Sequence, residues 1–107
     1  MHYRQLLIEA LRVGDQDLGQ AILTLQRDDP LPGVRGLKSW RISGELVEQR
    51  PLPDEADVSA LMGDARLLTG RVLLVGHRIS VDRGSASVEY EYKGTGPLSG
   101  TTEEDYD

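Results

Sequence analysis

"HYRQLLIEALRV", residues 2–13, is the stretch whose reading decides the fold class. Tyr3, Leu6, Leu7, Ala10 and Leu11 recur at spacings of three and four, which places them on one face of an amphipathic helix. Gly14 follows where a helix C-cap glycine sits. Such a face serves core packing or docks a neighbouring subunit. A second helix is predicted over "DEADVSALMGDAR", residues 54–66. Asp54 stands at its N-cap, and Glu55 and Asp57 lie in the first turn, where the helix dipole favours acids. Val58, Leu61, Met62 and Ala65 form its apolar stripe.

The rest of the chain alternates as strands do. In "LKSWRISGELVE", residues 37–48, Trp40, Ile42 and Leu46 share one face, and Gly44 signals a bulge or a close backbone approach. "GRVLLVGHRISV", residues 70–81, reads as a strand, with Val75, His77, Ile79 and Val81 on one side of its later half. "SASVEYEYK", residues 85–93, puts Ala86, Val88, Tyr90 and Tyr92 opposite Ser87, Glu89, Glu91 and Lys93. "VDRGS" joins these two as a hairpin turn, with Gly84 available for positive φ. Residues 18–27 fit a helix through Leu18, Ala21, Ile22 and Leu25, or a strand through Ala21, Leu23 and Leu25. The β-branched Ile22 and Thr24 favour the strand. "DDPLPGVRG" and "QRPLP" are breaks. The order helix, strand, strand, helix, strand, strand predicts an α+β fold: an antiparallel sheet or partly closed β-barrel with one or two helices packed against it. Residues 1–100 form one domain, and residues 101–107 form a flexible acidic tail.

Composition narrows the function. The chain has 107 residues, no cysteine and a net charge of −6. Structural disulfides, thiolate metal sites and cysteine nucleophiles are therefore excluded. Four of the 18 acids, Glu103, Glu104, Asp105 and Asp107, lie in the tail, which leaves 14 against 12 bases in the body. No basic stripe marks a nucleic-acid interface. No stretch reaches the roughly 20 apolar residues of a membrane span, and the N-terminus lacks a signal-peptide pattern. The chain reads as cytoplasmic.

Candidate chemistry is sparse. His77, Ser80 and Asp82 are the residue types of a hydrolytic triad, but on one strand His77 faces away from the other two. His77 reads as a half-buried strand residue, and His2 stands alone. The carboxylates Asp28 and Asp29 lie in a loop, and those at 54, 55 and 57 serve capping. "GTG", residues 94–96, precedes a proline rather than a helix, so it is no phosphate loop. No enzyme activity, metal or cofactor is predicted.

The segments "GVRGLKSWRISGELVE" and "TGRVLLVGHRISVDRGSASVEYEYKGTGPLSG" resemble the bacteriophage major tail-tube proteins, gene-transfer-agent tails included, over about residues 33–100. That resemblance implies a structural subunit that assembles into oligomeric rings, hexameric ones among them, around a DNA-conducting lumen. It would work beside other tail proteins in a virion tail assembled in the host cytoplasm. A related small tail component, such as a tube-end or connector protein, fits the same residues. Subunit contacts are expected at Glu89, Glu91, Lys93, Gly94, Gly96, Pro97 and Leu98, with Tyr3 and Leu7 on the first element. The alternative is a small acidic module or inhibitor whose tail engages a basic surface on a partner protein.

Overall fold

The computed structural model describes residues 2–28, 37–48 and 50–106. Six strands make up the fold: β1 (His2–Val13), β2 (Gln16–Asp28), β3 (Leu37–Leu46), β4 (Glu55–Met62), β5 (Leu67–Asp82) and β6 (Ser85–Gly94). A 3-10 turn, Glu103–Tyr106, follows them. All neighbouring strands run antiparallel, and they close as a barrel in the order β1-β2-β3-β6-β5-β4.

The α+β expectation is overturned. Both stretches predicted as helices are strands, and no α-helix occurs among the described residues. The reason is specific in each case. In β1 the register against β2 and β4 shifts between Ile8 and Leu11. This bulge sets the buried residues Ile8 and Leu11 three apart, a helical spacing produced by one extra strand residue. In β4 the inward row is Ala56, Val58, Ala60 and Met62, of which the last three are buried. Two alanines in that row hide a period of two, and the outward Leu61, 42% exposed, imitates a helical neighbour. Residues 18–27 belong to β2, where a further register shift leaves Leu18 and Ala21 buried three residues apart.

The inward faces fill the barrel in register. Leu23 lies between Leu6 and Ile42, and Ile42 lies opposite Tyr92. Leu25 pairs with Trp40, Val13 with Val58, and Ala60 with Leu68. Large rings fit because glycines stand opposite them. A Cβ on Gly44 would overlap the Tyr90 hydroxyl, and one on Gly94 would overlap the Trp40 indole. An aromatic ring laid over a glycine covers the backbone that the glycine leaves bare.

The hairpin turns are short. Arg83 (φ 49°) and Gly84 (φ 81°) are the two loop residues between the paired Asp82 and Ser85, which is the positive-φ signature of a type I′ turn. Gly14 (φ 61°) opens the two-residue turn from β1 to β2 and caps no helix. The molecule is elongated, 53 × 26 × 23 Å.

Candidate assembly surfaces

Unequal strand lengths shape the two ends of the barrel. β4 has 8 residues and lies between β1 with 12 and β5 with 16. It pairs with β1 over Ile8–Val13 and with β5 over Leu67–Leu73. One further backbone bond, from Leu74 N–H to the Asp54 carbonyl at 2.7 Å, ends that contact. Among the described residues no strand then covers the β4-facing edge of Val75–Asp82 in β5, or that of Tyr3–Leu7 in β1. β1 and β5 are each antiparallel to β4 and so run in the same direction. Their open stretches therefore lie at opposite ends of the barrel.

The first open stretch belongs to an arm. Beyond Leu46, the last β3 residue paired with β6, the β5–β6 hairpin continues alone through Ser80, Val81 and Asp82 to its turn. Its register places Ile79 on the face of the buried Val88, and Val81 on that of Ala86. The core face thus runs out into solvent: Ile79 is 47% exposed and Val81 74%. His77, expected to be half-buried, pairs with Tyr90 on this face and is exposed, because β4 and β1 do not reach this far. Val75, at the register shift between Leu74 and Gly76, is 49% exposed.

The other end carries Tyr3 (69% exposed), Leu7 and Ile22 on the outer surface. The register pairs Tyr3 with Gln26, Gln5 with Thr24 and Leu7 with Ile22. These six outward side chains carry no charge, in a chain of which 28% is charged. Depletion of charge with retained aromatic and aliphatic groups is the compositional mark of an interface core.

The remaining expected contact residues divide into two groups. Glu89, Glu91 and Lys93 project outward from β6, with Glu89 and Lys93 well exposed. Glu91 meets Arg41 at 3.4 Å, and Glu89 stands opposite Glu45 and Arg78. "GTGPL" is largely taken up in closing the barrel end. The Trp40 indole lies on Gly94 and donates a 2.8 Å hydrogen bond to the Gly96 carbonyl. Leu98 is buried beside Gly70, and Ser99 exchanges two backbone bonds with Thr69. Gly96 and Pro97 remain exposed.

The C-terminal segment, expected as a flexible acidic tail, is held through Tyr106. Asp105 receives two bonds from the Arg66 guanidinium, at 2.9 and 3.2 Å, and one from the Thr102 backbone N–H at 2.6 Å. The Arg66 bonds hold its carboxyl below the usual carboxylate range, with the Thr102 N–H adding to the effect. Tyr106 is buried, with the Lys38 ammonium 5.1 Å from its ring centre. Arg4 reaches the Glu104 carbonyl at 3.3 Å. This clasp was illegible in the sequence because Arg66 and Asp105 lie 39 residues apart.

The arrangement offers little chemistry. His77 shares a face with Tyr90, whereas Ser80 faces the other way with Ser87. Among the described residues no group of three or more His, Asp or Glu side chains could hold a metal ion. The Tyr90 hydroxyl is buried without a hydrogen-bond partner among them, and burial pushes its pKa to about 12. No described helix is long and apolar enough to cross a membrane. The chain matches no family model, no curated protein and no solved structure.

Proposed function

We propose that this protein is a non-enzymatic structural subunit that self-assembles, in the manner of a phage tail-tube or small tail-connector component. The observation that carries the reading is the β5–β6 arm. It extends the sheet past the barrel and leaves Val75, Ile79 and Val81 in water. Exposed strands with apolar faces are a liability that monomeric proteins avoid, and one that assembling proteins use. The near balance of charge in the body is compatible with a lumen that does not retain DNA. In this reading the protein works in a virion tail beside other tail proteins, as homo-oligomeric rings. The acidic-inhibitor alternative draws less support, because Asp105, one of the four tail acids, is engaged with Arg66.

Size-exclusion chromatography with light scattering, followed by negative-stain imaging, tests the proposal. Species at multiples of the monomer mass, with rings or short tubes, are expected as concentration rises. A strict monomer at every concentration would contradict it.

A further inference from the structure

Resting on the reading of the protein as a self-assembling subunit, we infer that the open β5 edge of one copy, Val75–Asp82, pairs with the open β1 edge of a second copy, Tyr3–Leu7. A strand edge presents alternating N–H and C=O groups, which water satisfies singly and another extended segment pairs in register. Among the described residues the β3-facing edge of Gln16–Ala21 in β2 is also unpaired, but it brings the exposed Asp17 and the positive-φ Gly19, whereas Tyr3–Leu7 brings uncharged outward side chains and is of comparable length to the β5 edge. The two edges lie at opposite ends of a molecule 53 Å long, so one copy cannot join them to each other.

The side chains select how the two strands face. Paired strands align their faces, and cross-strand apolar pairs stabilise the contact. One facing sets Ile79 and Val81 on the same side as Tyr3 and Leu7. The apolar strip then continues into Ile22 and is flanked by the uncharged Gln5, Thr24 and Gln26. The reverse facing would set the two arm residues beside Arg4 and Leu6 instead, a charged side chain and one already packed against its own core. The β5 edge also lacks the proline and lysine that guard exposed strands, and its Arg78 lies opposite Glu89 of its own β6. Because the two edges differ, the contact is head-to-tail. It builds a ring if the rotation closes and a filament if it does not.

The absence of cysteine allows a direct test in the full chain. Leu7→Cys and Ile79→Cys variants are prepared separately, mixed, and treated with a short bis-maleimide. Mixed Leu7–Ile79 cross-links are expected in clear excess over either same-site product. A Val81→Lys change added to the Ile79→Cys chain should reduce them several-fold, while Ser59→Lys on the outer face of β4 should not. If the wild type forms oligomers but only same-site products appear, or none do, the edge pairing is overturned and self-assembly stands. If the wild type is monomeric at every concentration, both fall.

Discussion

Glycines pressed against large side chains let the core close, Gly44 and Gly94 most tightly. Gly94 leaves the space that the Trp40 indole fills, and Gly44 leaves that of the Tyr90 hydroxyl. Gly94→Ala must therefore push Trp40 off the Gly96 carbonyl or distort the sheet. Its expected cost is roughly 1–3 kcal/mol, the range for overpacking a filled core. Urea denaturation of the variant measures it, and an unchanged midpoint would exclude the close approach. The tyrosines make a second expectation. Burial raises Tyr90 to about 12, and burial together with the Asp54 charge raises Tyr92 to about 12. An unfolded tyrosine ionises near 10. Between these values the unfolded chain releases protons that the native one retains, so stability should fall as pH rises from about 10 to 12. Tyr92→Phe should flatten that slope, while losing the hydrogen bond to the Pro53 carbonyl at 2.8 Å. Denaturant midpoints across this pH range give the comparison.

At the scale of elements, what could be read from the sequence depended on bulges. The strands over 37–48, 70–81 and 85–93 are present because their patterns are uninterrupted and rich in β-branched or aromatic residues. β1 was misread because one inserted residue converts the inward row Ile8, Leu11, Val13 from alternation to a helical step. β4 was misread because alanine at 56 and 60 carries little hydrophobic signal. The C-terminal clasp was invisible for a different reason: a long-range ion pair leaves no local pattern. It has a pH signature. The lowered pKa of Asp105 means that its contribution is fully present above the ordinary carboxyl value near 3.9 and is lost as pH falls through the lowered one. Asp105→Asn should remove that acid-side loss. It should also destabilise the protein at neutral pH by about 1–2 kcal/mol, a modest value because Arg66 is partly exposed. Thermal unfolding at pH 3 and pH 7 measures both effects.

The arm shows the same limit at the level of the candidate site. The alternation of Val75, His77, Ile79 and Val81 was readable, but it looked like an ordinary core face. Nothing local says that β4 stops at Glu55, opposite Leu73, and leaves the later half of β5 uncovered. Exposure of that face follows from strand lengths set elsewhere in the chain.

For the whole molecule, the barrel closes its own core and, among the described residues, leaves the β4-facing edges of β1 and β5 unpaired at opposite ends, each beside exposed apolar side chains. Ile79→Lys with Val81→Lys should leave the fold intact, since Ile79 is already about half exposed and Val81 mostly so. Far-ultraviolet circular dichroism would be unchanged, while the oligomer should dissociate at concentrations about tenfold or more above the wild-type value, roughly 1.4 kcal/mol or more. Deleting residues 101–107 should lower thermal stability, through the loss of Asp105 and Tyr106, without abolishing assembly.

Amide hydrogen exchange on the unmodified chain, at low and high protein concentration, tests the central claim most directly. Protection of the amides in Val75–Asp82 and Tyr3–Leu7 that point toward the β4 side should rise together as copies associate. Amides already paired within the barrel should change little. Fast exchange at both edges at every concentration, or new protection confined to other strands, would contradict assembly through these edges.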